Sequence, residues 1–204
     1  MKNKSSKNWI IRQHRDQYFK KAKIEGYRSR AAFKLIEINS KFKILKRNTN
    51  LLDLGSYPGG WSQVASKIIL NGKILSVDMK EMKPISNVKF VKKDFLQEES
   101  QNFIFSYFRE KIDVITSDMA ADTTGNKDLD SIRTNSICLE VLNFSSKILN
   151  SKGILVSKIF MGQDFELIKK KAKKKFNKVN FYKPDSSRTN SKETYLHCQG
   201  FKNL

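Results

Sequence analysis

Short apolar runs alternate with longer amphipathic stretches along most of the chain. The runs have the pattern of buried strands and occupy residues 50–54, 73–77, 88–91, 112–116 and 153–157. The stretches between them have apolar residues at helical spacing and predict helices over residues 61–70, 97–108, 130–149 and 164–176. A further helix is predicted over residues 29–38, with Ser29 as its N-cap. Such alternation predicts an α/β fold in which helices cover both faces of a parallel sheet.

The two ends of the chain depart from this alternation. Residues 179–182 and 194–201 have the pattern of strands and leave no room for a helix between them, which predicts an antiparallel hairpin. Residues 1–30 are polar and basic with little periodicity, which predicts an arm or an irregular helix. We therefore divide the chain into a basic N-terminal arm, residues 1–26, and a single domain, residues 27–204.

Charged side chains follow the predicted strands at their carboxyl ends. Ligands of open α/β sheets bind beyond these ends, so the residues there are candidates for a site. A single aspartate in such a place could be a helix cap or a turn former. Four in a row make that interpretation less attractive. The candidates are Asp53, Asp78, Asp94, Asp118 and Lys158.

The loop after the first strand, Gly55-Ser56-Tyr57-Pro58-Gly59-Gly60, is rich in glycine. It lacks the second glycine of a GxGxxG dinucleotide fingerprint, and no P-loop Lys-Ser/Thr follows it. The nearby acids would repel a pyrophosphate but favour a cation without phosphates. S-adenosylmethionine is such a ligand, with its ammonium and sulfonium groups. Asp78, about 20 residues beyond the loop, is placed to hold ribose hydroxyls, and Asp94 is placed near the adenine.

The residue types at the strand ends narrow the choice of methyl acceptor. Methylation of cytosine C5 needs a cysteine nucleophile, but Cys138 and Cys198 lie in patterns typical of buried structural residues. Methylation of the adenine amino group usually goes with a Pro-Pro-aromatic loop after the fourth strand, and residues 117–122 contain no proline. Lysines paired with carboxylates suit the removal of a proton from a hydroxyl group. The chain offers Lys34, Asp118, Lys158 and Glu193.

Composition adds a partner class and a compartment. The 204 residues carry a formal net charge of +20, which favours nucleic acid as a partner. Part of this charge reflects a bias toward lysine, with 32 Lys against 8 Arg. The longest apolar run near the N-terminus is Trp9-Ile10-Ile11, too short for a signal-peptide core, and no run is long enough to span a membrane. The two cysteines form no CxxC motif, so we expect a cytoplasmic protein without a disulfide framework or a metal site.

Five segments together resemble the FtsJ-type (RrmJ) ribosomal RNA 2'-O-methyltransferases, over residues 27–201 or so. These segments are GYRSRAAFKL, LLDLGSYPGGWSQV, SDMA followed by Gly125, GILVSKIFMGQDF and SRTNSKETYLHCQGF. The motifs stand in the order and spacing of that family, in particular of its bacterial members that methylate a uridine ribose in 23S rRNA. The chain departs from the family pattern at Ser56-Tyr57, where small residues are usual, and at Ala121, where proline is usual.

The resemblance implies a fold, a cofactor and a site. The fold is a Rossmann-like class I methyltransferase with a seven-stranded, mostly parallel sheet, and the cofactor is S-adenosylmethionine. The implied partner is 23S rRNA within an assembled or nearly assembled large subunit, bound by a monomer. The implied catalytic tetrad is Lys34, Asp118, Lys158 and Glu193. The implied cofactor contacts are Gly59, Trp61, Asp78, Asp94 and Asp118.

Individual roles are assigned as hypotheses. Lys158 is the candidate base for the ribose hydroxyl, oriented by Asp118, while Lys34 and Glu193 hold the acceptor nucleotide. Arg28, Arg30 and the arm are expected to contact RNA phosphates, and Tyr27 is expected either to stack on a base or to pack within the protein. A methyltransferase acting on tRNA ribose and a catalytically silent RNA-binding relative stay open as alternatives.

Overall fold

The computed structural model describes residues 16–162 and 164–202. Its strands are β1 (Leu51–Leu54), β2 (Ile74–Asp78), β3 (Lys89–Lys92), β4 (Ile112–Ser117), β5 (Leu149–Phe160), β6 (Phe176–Tyr182) and β7 (Glu193–Phe201). Its helices are α1 (Gln17–Ile24), α2 (Ala31–Phe42), α3 (Gly60–Ile68), α4 (Glu98–Phe108), α5 (Lys127–Ile148) and α6 (Phe165–Lys175). None of the helices in this part of the chain is long and apolar enough to cross a membrane.

The strands form one sheet with the order β3-β2-β1-β4-β5-β7-β6. The first five strands pair in parallel, whereas β7 is antiparallel to both β5 and β6. This confirms the predicted mostly parallel sheet and its antiparallel C-terminal hairpin. The β1–β4 switch in strand order places the ends of β1, β2 and β4 side by side, which is where open α/β sheets bind ligands.

Two apolar layers cover the sheet. Alternate residues of a strand point to opposite faces, so Leu51 packs with α2 and α3 while Leu52 packs with α4 and α5. The same alternation separates Val156 from Leu155 on β5. The predicted helices on both faces are therefore confirmed, and the aliphatic runs of β1 and β5 are buried because both of their faces are covered.

The start of the domain differs from the prediction. Asp16 caps a regular helix, α1, by accepting hydrogen bonds from the backbone of Tyr18 (3.1 Å) and Phe19 (3.3 Å). Ser29 does not cap α2, and its hydroxyl has no partner among the described residues. Backbone carbonyls replace it, since Ala32 N–H donates to the Ser29 carbonyl at 3.2 Å. Residues 1–15 of the predicted arm lie outside the described residues, and the division of the chain at residue 26 stays a prediction.

Strand β5 is longer than predicted. It runs through Phe160, so Lys158 lies inside the strand and pairs with Tyr195 of β7. Pairing with β7 stabilises this extension. Because β7 is distant in sequence, the residues of β5 alone do not show that the strand continues. The register also pairs Phe160 with Glu193, which brings the first residue of β7 beside the end of β5.

Candidate active site

Methionine side chains pack closely against the glycine loop between β1 and α3. Gly55 has φ +71°, and a Cβ atom there would lie 2.4 Å from Cγ of Met119. Gly59 has φ +108°, and a Cβ atom there would lie 2.8 Å from Sδ of Met82. Both positions need glycine for their backbone conformation and for lack of space. The loop is thereby held against the segment that follows β4.

A cavity of about 280 Å³ opens beside this loop, at the carboxyl ends of β1, β2 and β4. Three of the predicted strand-end acids, Asp78, Asp94 and Asp118, line it together with Gly55. The sequence-based expectation that these acids meet at one place is confirmed by their position. The rest of the wall is mixed and contains apolar side chains such as Phe95, a fourth acid, Asp122, and two lysines, Lys80 and Lys93.

The carboxylates of Asp78 and Asp94 are fixed by backbone donors. Asp78 accepts hydrogen bonds from the N–H of Tyr57 (2.9 Å) and of Lys80 (2.8 Å). Asp94 accepts one from the N–H of Leu96 (3.0 Å). Each carboxylate oxygen has two lone pairs, so acceptor capacity remains on the side that faces the cavity.

Asp53, the fourth strand-end acid, belongs to the core. Its side chain is buried and accepts hydrogen bonds from the hydroxyls of Ser62 (2.6 Å) and Thr116 (3.0 Å). Burial raises the pKa of Asp53 to about 7, although the two hydroxyl donors oppose the shift. The carboxyl group holds α3 to the sheet and does not line the cavity.

Two residues expected to contact the cofactor, Gly59 and Trp61, are not among those that line the cavity. The indole of Trp61 is buried, and its N–H donates to the carbonyl of Ala31 at 2.8 Å. Its ring centroid lies 5.6 Å from that of Tyr195. Trp61 thus joins α3 to α2 and packs against Tyr195 of β7.

Four charged side chains meet next to the cavity, three of them from α2, β5 and β7 and one from the residue directly after β4, and we call them the charged row. Lys34 of α2 lies 2.7 Å from a carboxylate oxygen of Glu193, and the other oxygen of Glu193 lies 3.7 Å from Nζ of Lys158. Nζ of Lys158 then lies 2.8 Å from Oδ1 of Asp118. All four residues of the predicted tetrad are therefore brought together, and Asp118 belongs to both the row and the cavity wall.

Two further side chains hold the carboxylates of the row, and sequence reasoning missed both. Tyr195 donates its hydroxyl to Oδ1 of Asp118 at 2.6 Å, and Ser187 donates to Glu193 at 2.8 Å. Tyr195 stands two residues after Glu193 on β7, and strand periodicity could have placed it on the same face. Ser187 lies in the connection between β6 and β7, where no pattern signals its role.

The row has opposite electrostatic effects on its members. Burial alone lowers the pKa of Lys158, but the carboxylates of Asp118 and Glu193 outweigh burial and raise it above its ordinary value. Burial alone raises the pKa of Asp118, but the ammonium groups of Lys158 and Lys34 hold it below its ordinary value. With the site in this state, Lys158 is an ammonium and Asp118 a carboxylate.

The residues expected to contact RNA near this site are used within the protein. Arg28 donates to the carbonyls of Lys83 and Pro84, both at 2.6 Å, and Arg30 pairs with Asp16. These contacts give both guanidinium groups a structural role, and the predicted phosphate contacts stay a prediction. For Tyr27, an edge-on ring contact to Phe33 at 5.6 Å favours the packing alternative. The segment from 27 to 30 anchors the N-terminal helices.

The model of one protein family, FtsJ-like methyltransferase, matches residues 27–201, most of the chain. The chain belongs to this family. The glycine loop, the acid-lined cavity and the charged row all lie within the matched residues, and so do the motifs from which the resemblance was argued. The chain is therefore a methyltransferase.

Relatives of this methyltransferase carry a more specific name. Ribosomal RNA large subunit methyltransferase E of Pelagibacter ubique is 46% identical over 198 residues, which cover 97% of this chain and 98% of the relative. The protein of the same name from Rickettsia akari is also 46% identical, covering 94% of this chain and 87% of the relative. The similarity to each relative extends over nearly the whole chain.

Two solved structures share the fold. A ribosomal RNA methyltransferase from Plasmodium falciparum matches with a TM-score of 0.77 and 34% identity, over 86% of this chain and 98% of that chain. Human methyltransferase-like protein 13, solved with S-adenosylhomocysteine (SAH), matches with a TM-score of 0.57 and 16% identity, over 85% and 81%. The second likeness concerns the fold alone and identifies it as the Rossmann-like methyltransferase fold.

Proposed function

We propose that this protein transfers a methyl group from S-adenosylmethionine to the 2'-hydroxyl of a uridine in 23S rRNA of the large ribosomal subunit. The observation that carries the proposal is the charged row beside an acid-lined cavity, with Asp118 common to both. A lysine–carboxylate row suits proton removal from a hydroxyl, and the cavity suits a cationic cofactor without phosphates. We further propose that the enzyme works as a monomer in the cytoplasm.

The cavity fits the proposed cofactor. Asp78 and Asp94 present carboxylate oxygens with spare acceptor capacity, as ribose hydroxyls and an adenine amino group require. Gly55 leaves the loop backbone bare on the cavity side. The acids also disfavour phosphate-bearing nucleotides. When bound, S-adenosylmethionine supplies an activated methyl group. Gly59 and Trp61 stay proposed cofactor contacts, and in this structure they shape the glycine loop and the start of α3.

The residues of the charged row divide the remaining work. The Lys158 ammonium first loses a proton to solvent, and its neutral amine then accepts the proton of the ribose hydroxyl. Asp118 and Tyr195 fix the position of this amine. Lys34 and Glu193 lie further from the cavity and hold the acceptor nucleotide. Much of the rate gain comes from the fixed position of the acceptor, because the residues of the row are held by α2, β5, β7 and the end of β4.

A hydroxyl acceptor is favoured over carbon or an exocyclic amine. Cys138 and Cys198 are buried in the core, and burial raises the pKa of Cys138 to about 12. Neither thiol is available as the nucleophile that cytosine C5 methylation needs. The segment after β4 that borders the cavity contains no proline of the kind expected for adenine amino-group methylation.

The choice of RNA rests on the relatives and on charge. Both bacterial relatives are named for the large ribosomal subunit, and the net charge of +20 suits a polyanionic substrate. The N-terminal residues 1–26 are proposed to add phosphate contacts, since eight of them are Lys or Arg. A tRNA ribose as acceptor is the second candidate, because the charged row would serve either RNA.

The test is methyl transfer from radiolabelled S-adenosylmethionine to large ribosomal subunits that lack their native methylations, followed by nucleoside analysis. We expect the label in 2'-O-methyluridine. Label on a base would contradict the ribose assignment, and label in free tRNA but not in subunits would favour the second candidate. Cofactor binding without transfer to either RNA would identify a silent relative.

A further inference from the structure

A second concave surface lies at the opposite end of the sheet, where the parallel strands begin. It has a volume of about 710 Å³ and lies between the turn before β1, the start of β5 and the open end of the β6–β7 hairpin. Four cations line it: Lys46, Arg47, Lys152 and Lys178. We call this surface the amino-end groove. The charged row and the cofactor cavity have no residue in it.

The cations of the amino-end groove are not neutralised. All four are exposed, and none forms an ion pair with another residue in the parts of the chain described, 16–162 and 164–202. The lining contains one acid, Asp113, so four cations face a single carboxylate. It accepts from the N–H of Asn50 and from the amide of Asn150, each at 2.8 Å. The groove therefore has a net positive field.

An irregularity in β5 shapes one wall of the groove. β5 pairs Leu149 with Ile112, and after a register shift pairs Ile154 with Val114. Residues 150–153 therefore stand out from the ladder and place Lys152 in the wall of the groove. Bulges of this kind redirect side chains and are often found at functional sites.

The basic surface continues on both sides of the groove. A depression of about 680 Å³ shares Ser151 with the groove and adds Lys111 and Lys175. Another of about 460 Å³ shares Lys178 and adds Lys173. Neither lining contains an acid. The result is a connected basic surface around the amino end of the sheet, long enough to follow a polyanion.

We infer that the amino-end groove binds the sugar–phosphate backbone of a second segment of the RNA substrate. This inference rests on the proposed function, since it assumes an RNA substrate. Along β7, Glu193 of the charged row and Gly200 of the groove are separated by about 24 Å, at the usual rise per strand residue. The acceptor nucleotide cannot occupy both places, so a different part of the same RNA must reach the groove.

The shape and chemistry of the groove favour RNA over a lipid surface. A bilayer surface is flat, whereas the groove is concave. Its walls carry amide side chains from Asn48, Asn177 and Gln199, which can donate to phosphate oxygens and ribose hydroxyls. None of the large apolar side chains that are exposed among the described residues lies in it to enter a membrane. Phosphate contacts by lysine position an RNA without reading its sequence.

The test compares two triple variants that lose the same charge. The groove variant is Lys46→Gln/Lys152→Gln/Lys178→Gln, and the control is Lys83→Gln/Lys89→Gln/Lys92→Gln, whose exposed side chains lie outside the groove. Equilibrium binding to protein-free 23S rRNA is measured over about 50 to 200 mM salt. For the groove variant we expect roughly tenfold weaker binding and a salt slope smaller by about 2 to 3, with the control close to wild type.

Other outcomes would overturn the inference. Equal losses of RNA affinity in both variants would show that the groove contributes only as general surface charge. Wild-type affinity in the groove variant would show that the groove does not bind RNA. If the groove variant instead lost binding to phosphatidylserine vesicles while keeping its RNA affinity, the partner would be a lipid surface. Thermal melting of both variants checks the fold. The binding assay does not depend on methyl transfer. A failure to methylate 23S rRNA would therefore contradict the proposed function, while the binding comparison would still test the groove.

Discussion

The two ends of the sheet use basic residues in opposite ways. At the carboxyl end, Lys34 and Lys158 alternate with Glu193 and Asp118, so each charge has an opposite neighbour and a fixed place. At the amino end, the cations of the amino-end groove are exposed and form no ion pair within residues 16–162 and 164–202. Pairing and burial tune proton transfer, whereas unpaired exposed charge attracts a polyanion over about a Debye length. The net charge of the chain therefore does not show where the catalytic residues lie, whereas the pairing of individual charges does.

The largest expected effect is at the carboxyl end. Lys158→Met removes the proposed base, and we expect the rate of methyl transfer at saturating RNA to fall by about 10² to 10⁴. Cofactor binding should change little, because Lys158 does not line the cavity. Lys89→Met, on the exposed edge strand β3, serves as the control and should keep the wild-type rate. A rate within a few-fold of wild type for Lys158→Met would show that another group takes the proton.

The pH dependence of the rate also tests whether Lys158 is the base. Because Asp118 and Glu193 raise the pKa of Lys158 against the effect of burial, the neutral amine is a minor form near neutrality. A base of this kind predicts a single-turnover rate that rises about tenfold per pH unit between about pH 7 and 9. The pKa of Asp118 is held low, so proton transfer to Asp118 instead would give a profile that is flat above about pH 6.

A smaller loss is expected from Tyr195→Phe. The substitution removes the 2.6 Å hydrogen bond to Asp118 but keeps the buried ring against Trp61. A hydrogen bond to a charged group contributes about 1.5 to 3 kcal/mol, so the rate at saturating substrate should fall about ten- to hundredfold. The KM for RNA should not change. A changed KM with an unchanged rate would assign Tyr195 to RNA binding and not to the positioning of Asp118.

The smallest effect on activity is expected at Asp53. Between about pH 4 and 7 the folded protein keeps a proton on this acid that the unfolded chain releases, so folding stability falls as pH rises through that window. Asp53→Asn should remove up to about 4 kcal/mol of this pH dependence, measured by denaturant unfolding at both ends of the window. Methyl transfer should stay near the wild-type rate. A large loss of activity would place Asp53 in the site after all.

Much of the carboxyl end could be predicted from sequence because its signals are local. Apolar runs followed by aspartates located the cavity wall, and the motif order located the tetrad. The predicted end of β5 was wrong where long-range packing decides the outcome, because pairing with β7 extends the strand past Lys158. The hydrogen bond from the Trp61 indole to α2 likewise has no local signal in the sequence. The pairing of Lys34 with Glu193 joins residues far apart in the chain, and spacing alone could not give it.

The amino end could not be predicted in this way. Lys46, Lys152 and Lys178 lie far apart from one another in sequence, and each resembles an ordinary solvated lysine. They share a surface only because the strand order brings β5 beside β7 and because the β5 register shift carries Lys152 outward. The same lysine-rich composition that raises the net charge hides such a surface from sequence reasoning.

The most direct test of this division is a single-turnover RNA titration with labelled S-adenosylmethionine, which yields a maximal rate and a half-saturating RNA concentration from one experiment. Wild type, Lys158→Met and the groove variant are compared on the same large subunits. The account predicts that Lys158→Met loses the maximal rate at an unchanged half-saturating concentration, and that the groove variant raises that concentration about tenfold at an unchanged maximal rate. Loss of the maximal rate in both variants, or in neither, would contradict the separation of chemistry from RNA attraction.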